Sequence, residues 1–250
     1  MARFWSTVKD VIEQSDVLLL LLDARMVEDS RNLQIEESVL RSGRPLIYVV
    51  TKCDLVEKKA AEVWKQRLHP CVFVSSTKYH GLALLRERIQ IVASRVGVER
   101  RKIRVGVLGY PNVGKSSLVN AMTGRGAAQT SVVSGHTRSK KYVTSASGIV
   151  FVDTPGVIPF EEKEKGSLKH AMMGAIDFSK EKDPDLVVLG ILEKFPKKIE
   201  KYYGVEVQAD GEETIKAVAI KCNLFAKGGV PDLRRSAVKI LKDWQTGLIR

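Results

Sequence analysis

Cysteine is scarce in this chain of 250 residues, with only Cys53, Cys71 and Cys222, set without metal-ligand spacing. An odd, dispersed count argues against a disulfide framework and against a cysteine-based metal site. Long apolar runs are missing as well. The longest, VLLLLL at 17–22, is closed by Asp16 and Asp23. It falls far short of the roughly 20 residues needed to cross a bilayer, so no membrane partner is expected. The amino-terminal stretch MARFWSTVKD lacks the apolar centre and small-residue cleavage site of a signal peptide. These absences lead to the expectation of a reduced, cytoplasmic protein. Internal repeats and low-complexity segments are absent too.

What is present fits an ordinary globular chain, with 44% hydrophobic and 28% charged residues. The net charge is +12, unevenly spread. Residues 1–160 carry 24 Lys and Arg against 14 Asp and Glu, whereas residues 161–250 carry 17 against 15. Local concentrations are RRKIR (100–104) and RSKK (138–141). Such a balance suits a polyanion bound through its phosphates, and it equally suits a solvated basic surface.

The apolar pattern alternates between two periods. DVLLLLLD (16–23), PLIYVV (45–50), CVFVSS (71–76) and KIRVGVLG (102–109) read as buried parallel strands. Between them RNLQIEESVLRSG, EKKAAEVWKQRL (57–68) and GLALLRERIQIVASRV (81–96) read as helices. KYVTSA (141–146) and GIVFVD (148–153) predict an antiparallel pair turning at Ser147-Gly148. This grammar predicts a doubly wound α/β domain. From about residue 184 the pattern is helical, broken by Pro196, Gly211, Gly228-Gly229 and Pro231, with Asp232 and Gly247 as the start and stop of the last helix. The division expected is an α/β domain at 1–180 and a small all-α domain at 181–250.

GYPNVGKSS (109–117) matches G-x-x-x-x-G-K-[ST] between a strand and a helix. Glycines let backbone N–H groups and a helix N-terminus face phosphate oxygens, here with Asn112, Val113, Gly114 and Ser117 in the loop. Lys115 is expected on the β and γ phosphates and Ser116 on Mg²⁺. Asp153-Thr-Pro-Gly156 follows an apolar strand and reads as a second metal element, Asp153 holding Mg²⁺ through water and the Gly156 N–H approaching the γ phosphate. By itself DTPG is only a turn. Thr137, in SGHTRS, is expected to add a hydroxyl to Mg²⁺ only with the γ phosphate present; the competing reading is an exposed loop threonine.

These motifs indicate a nucleoside triphosphate without naming the base. TKCDL (51–55) ends a strand at the edge where open α/β sheets bind ligands. The Asp54 carboxylate can accept from guanine N1–H and its exocyclic amine, and the stem of Lys52 can lie on the base plane. Ser75-Ser76-Thr77, after the next strand, suits a loop whose backbone N–H meets guanine O6. Read alone, TKCDL is also a turn with a helix-capping aspartate. Both elements together point to GTP and GDP.

The chain resembles the circularly permuted GTPases of the YlqF/YawG type, relatives of Ras in which the base-reading motif precedes the phosphate loop. LDARMVEDSRN (22–32) is similar to that family's D-A-R-x-P-x-x-S-R-N segment, with Val27 in place of proline, and AKGGVPDLRRSAVKILKDWQTGLI (226–249) to its closing helices. The resemblance implies a Ras-like P-loop domain in permuted order with a helical tail placed to read out the nucleotide state. It implies GTP hydrolysis and docking of a monomer on the large ribosomal subunit or its ribosomal RNA. It also implies K⁺ at the phosphate-loop asparagine, Asn112, which a turn asparagine would explain equally. Val157 stands where Ras-like enzymes carry a water-orienting glutamine, so slow turnover assisted by a partner or cation is expected. No histidine occurs before His69, unlike bacterial members, and His136 is the candidate substitute. Thr51 replaces the usual asparagine of N-K-x-D, and its hydroxyl offers fewer hydrogen bonds. A GTP-dependent binding module for a protein or tRNA, with incidental hydrolysis, is the alternative.

Overall fold

The computed structural model describes residues 2–98, 102–124, 141–153 and 167–250. The described residues fall into two compact units, Met1–Glu164 and Lys165–Arg250.

In the first unit a six-stranded sheet is built from β1 (Val17–Asp23), β2 (Leu46–Thr51), β3 (Cys71–Phe73), β4 (Ile103–Leu108), β5 (Lys141–Thr144) and β6 (Ile149–Asp153). Its spatial order is β3-β2-β1-β4-β6-β5. All neighbours are parallel except β5 and β6, which form the expected antiparallel pair. β1 lies at the centre, and all seven of its residues are buried. That accounts for an unbroken leucine run where a half-exposed strand would alternate. Counted from β4 instead of β1, the strands would run 2-3-1-4-5-6 across the sheet, so the permutation changes the chain order and leaves an ordinary spatial sheet.

One face of the sheet is covered by α1 (Ala2–Gln14), α3 (Leu33–Arg41) and α4 (Lys58–Arg67), following the single-turn α2 (Val27–Ser30). Val8, Val11 and Ile12 of α1 join Leu18, Leu20, Leu22, Ile35, Val39 and Val50 in one cluster. Gly106 in β4 permits this approach, because a Cβ there would collide with Ser15 Oγ and stand 2.8 Å from Val11 Cγ1. α5 (Leu82–Arg95) and α6 (Lys115–Thr123) bury Leu85, Ile89, Leu118 and Val119. Sequence periodicity had not marked α1. The strand predicted over 71–76 is shorter, because Ser75 leaves β2 and pairs with His80.

The second unit holds α7 (Ser167–Met172), α8 (Pro184–Lys194), α9 (Lys198–Tyr203), α10 (Gly211–Lys221) and α11 (Leu233–Gln245). Its core includes Val188, Ile191, Ile215, Val218, Ile240 and Trp244, all buried. Asp232 caps α11 by accepting from Arg235 N at 2.9 Å, and Gly247 follows at φ 79°. Residues 167–180, assigned to the first domain on sequence grounds, pack in this second unit. Trp244 Nε1 donates to Met172 O at 2.8 Å, and Gln245 Nε2 donates to Ala171 O at 2.8 Å and Ile176 O at 3.0 Å. Contacts between segments so distant in the chain carry no local sequence signature. α10 ends at Lys221, since Asn223 turns left-handed at φ 54° and Phe225 bridges to Pro231.

Candidate nucleotide-binding site

Parallel pairing brings the carboxyl ends of β2, β1 and β4 to one edge, with Thr51 opposite Asp23 and Leu108 opposite Leu20. The segments following these three strands are TKCDL, LDARMVEDSRN and GYPNVGKSS. Residues distant in the chain therefore share one edge of the sheet.

The loop after β4 has the geometry of an anion cradle. Gly109 lies at φ 141° and Gly114 at φ 101°, conformations that side chains disfavour. A Cβ on Gly109 would stand 2.8 Å from Leu21 O. Asn112 is left-handed at φ 58°, which asparagine tolerates better than most residues. Val113 is fully buried and anchors the loop. Lys115 opens α6 with its side chain buried, and its Nζ donates to Gly109 O at 2.9 Å and to Tyr110 O at 2.6 Å. Ser116 and Ser117 are half-buried in the first turn of α6, whose N-terminus faces the loop. The donor set suits a phosphate chain.

The TKCDL segment touches this loop directly. Thr51 Oγ1 lies 2.5 Å from Val113 O and 2.9 Å from Leu22 O. Lys52 follows in a left-handed conformation at φ 55°, and Cys53–Leu55 form a 3₁₀ turn that presents Asp54. Cys53 N donates to Val74 O at 3.3 Å, joining the turn to the end of β3. There Ser75 N–H is taken by His80 O at 3.1 Å, while Ser75 Oγ accepts from Lys78 N and meets Thr77 Oγ1 at 3.2 Å. Ser76 and Thr77 lie at the tip of this loop, between the paired Ser75 and His80. Gly81, at φ 74°, closes the loop against Phe73 O, where a Cβ would not fit. Asp54 and Ser75 also line a cavity of about 720 Å³ between α4, β3 and the start of α5. Lys52 and the 109–116 loop are not among its walls, so it neighbours the phosphate loop without being part of it.

LDARMVEDSRN contributes more here than its family likeness suggested. Asp23 accepts from Arg25 Nη2 at 2.8 Å, Arg25 Nε at 3.1 Å and Lys52 Nζ at 2.8 Å. Burial alone would raise the Asp23 pKa. The Arg25 and Lys52 charges and their hydrogen bonds outweigh it, holding the carboxyl well below the usual carboxylate range. Burial pushes the Lys52 ammonium down, and the Asp23 charge opposes that shift. Arg31 clamps Glu36 with bonds of 2.9 and 2.7 Å, and Tyr48 OH donates to the same carboxylate at 2.9 Å. Asn32 caps α3 through Ile35 N and donates from Nδ2 to Tyr110 OH at 3.2 Å. Tyr110 was not among the expected site residues. Its signal was the polar D-A-R-S-R-N set at the end of an apolar strand, which must find partners from other segments.

Thr137 and Gly156 lie outside the described residues, as do Val157 and His136. Asp153 is described only as the backbone end of β6, opposite Lys141. The described residues contain no cluster of three or more His, Cys, Asp or Glu that could hold a metal.

The family described as 50S ribosome-binding GTPase matches residues 104–219. GDP-bound YlqF superposes with a TM-score of 0.67 over 96% of this chain and 94% of that one, at 20% identity. GNP-bound YlqF from T. maritima gives 0.65 over 97% and 93%, at 21% identity. These two structures share the fold of this chain. Among curated proteins it is 38% identical over 245 residues to a GTP-binding protein of Methanocaldococcus jannaschii, covering 96% of this chain and 64% of that protein. It is 30% identical over 259 residues to nucleolar GTP-binding protein 2 of Saccharomyces cerevisiae, covering 99% of this chain and 52% of that one. The chain thus spans about half to two thirds of the length of these relatives. No helix among its described residues is long and apolar enough to cross a membrane.

Proposed function

We propose that this chain binds GTP, hydrolyses it to GDP and phosphate, and serves as a nucleotide-dependent assembly factor for the large ribosomal subunit. The observation that carries the reading is the 2.5 Å contact between Thr51 Oγ1 and Val113 O. It joins the base-reading turn to the phosphate loop across 62 residues of chain, so one nucleotide can meet both. In this reading Asp54 accepts from guanine N1–H and the exocyclic amine, a pair adenine does not offer. Lys52 lies against the base, and the Ser75-Ser76-Thr77 loop offers a backbone N–H to O6. Val113, Gly114, Ser117 and the loop amides hold the phosphates.

Lys115 neutralises charge on the β and γ phosphates, and catalysis proceeds mainly by positioning and electrostatics. Ser116 and, through the roles proposed from sequence, Thr137 and a water on Asp153 would hold Mg²⁺, which would supply positive charge against the phosphates. Gly156 would meet the γ phosphate, and Asn112 carries the oxygen that K⁺ would take. Valine at 157 leaves no side chain there to orient water, so basal turnover is slow and a partner or cation completes the site. The ribosomal assignment is supported by the 50S ribosome-binding family match and by the net charge of +12. We assign the protein to the cytoplasm as a monomer that contacts ribosomal RNA.

Calorimetry with GDP, GTP and ADP tests the base assignment, with preference for the guanine nucleotides expected and equal or tighter ADP binding refuting it. Co-sedimentation with ribosomal subunits, comparing GDP with a non-hydrolysable GTP analogue, tests the partner. Nucleotide-dependent recovery with the large subunit is expected. Recovery of a single protein or tRNA without ribosomal RNA would favour the binding-module alternative.

A further inference from the structure

The DAR–SRN segment has no role in the reading above, yet it holds the most heavily paired charges at the site edge. Asp23 and Arg25 have side chains only 1% and 2% exposed. An apolar pair of similar size would stabilise the fold at least as well, so stability alone does not call for an ion cluster here. Lys52 is its unusual member. Its backbone is left-handed at φ 55°, and its Nζ is pinned 2.8 Å from Asp23 at the end of the neighbouring strand. The aliphatic stem therefore spans from the end of β2 to the end of β1.

A second arm starts at Asn32. The Thr51 hydroxyl has one proton for two carbonyls, Leu22 O and Val113 O, so it cannot serve both fully. Asn32 Nδ2 reaches the same phosphate loop by a separate route, donating to Tyr110 OH at 3.2 Å. Tyr110 is itself buried, and its carbonyl accepts from Lys115 Nζ at 2.6 Å.

We propose that Asp23 and Asn32 are positioning residues for the guanine nucleotide. Asp23 fixes the Lys52 stem for the purine face, and Asn32, through Tyr110, provides the second tether to the phosphate loop that a threonine at 51 does not. The proposal rests on the guanine-nucleotide reading and divides its support into a base arm and a phosphate arm. Inorganic tripolyphosphate engages the phosphate loop alone, whereas GDP engages both, so the arms can be measured separately.

The test uses the full chain with Asp23→Asn, which keeps shape and removes charge, and Tyr110→Phe, which removes only the hydroxyl. GDP and tripolyphosphate affinities are read by calorimetric displacement, with thermal midpoints alongside. Asp23→Asn should weaken GDP about tenfold and leave tripolyphosphate within about twofold. Tyr110→Phe should weaken both ligands alike by about threefold, and the effect should vanish in a Thr51→Asn background. Lys52→Met, which keeps an apolar stem but frees it from Asp23, should repeat the selective GDP loss and carries the test if Asp23→Asn fails to fold.

Equal loss of both ligands in step with the thermal midpoint would make Asp23 a structural strut and overturn the base arm. Unchanged GDP binding in Asp23→Asn or Lys52→Met overturns it too. A Tyr110→Phe effect that persists undiminished when combined with Thr51→Asn overturns the phosphate arm. Failure of the underlying reading looks different, since wild type itself would then bind ADP as tightly as GDP.

Discussion

Buried polar groups are arranged differently in the two units. In the helical unit they tie the helices of one core together, as where Asp243 accepts from Tyr203 OH at 2.7 Å. Trp244 and Gln245 donate to carbonyls around the end of α7, and Ser236 Oγ donates to Ile215 O at 2.8 Å. In the sheet unit Asp23, Arg25 and Lys52 bond chiefly to one another, and Asn32 bonds to Tyr110, across segments that meet only at one edge. Polar groups that tie helices together within one core are packing. Polar groups that converge from the ends of separate strands at one sheet edge mark a site. The lesson is positional, since both units bury polar side chains almost completely.

This contrast can be broken by substitution. Trp244→Ala should have the largest effect on the fold, removing a fully buried ring and its hydrogen bond at a loss of about 3–5 kcal/mol in denaturant unfolding. GDP affinity measured under native conditions should stay within about twofold, and a large loss would blur the division between packing and site. Asp54→Asn should do the reverse. It exchanges an acceptor pair for a mixed amide, lowering guanine affinity by about 100-fold, near 3 kcal/mol, while improving binding of xanthosine diphosphate, with stability changing little. Retained GDP preference in that variant would remove Asp54 from the base site.

Smaller effects sharpen the picture. Ser236→Ala should cost about 1 kcal/mol of stability by removing its buried hydrogen bond to Ile215 O, with no change in nucleotide binding. Tyr48 supplies a pH-dependent case. Burial and the Glu36 carboxylate push its phenol up to about 12. A folded value above the unfolded value of about 10 means its contribution is complete below pH 10 and declines as pH rises toward 12. Tyr48→Phe should therefore flatten the alkaline limb of the stability profile by less than about 1 kcal/mol, since the group is partly solvated. An unchanged limb would mean the Arg31–Glu36–Tyr48 cluster adds nothing to stability there.

Much of the fold was legible because its signals are local. The continuous leucines of β1, the alternation of strands and helices, the glycine turn between β5 and β6, and the Asp232 cap each depend on neighbours within a few residues. The phosphate loop was legible for the same reason, being a contiguous motif. α1 was not seen, because its apolar stripe acquires meaning only against Gly106, where the missing Cβ admits the helix. The assignment of residues 167–180 required Trp244 and Gln245, which lie far along the chain in its last helix.

By itself the sequence determined most of the elements, the permuted order of the motifs and the residue types able to meet phosphate and base. Only the tertiary structure decided that Thr51 reaches Val113, that Lys52 is held by Asp23 and that Asn32 finds Tyr110. The physical reason is that periodicity and propensity act over a few residues. A hydrogen bond between strand ends depends instead on which strands become neighbours, and that is settled by burial of the whole sheet.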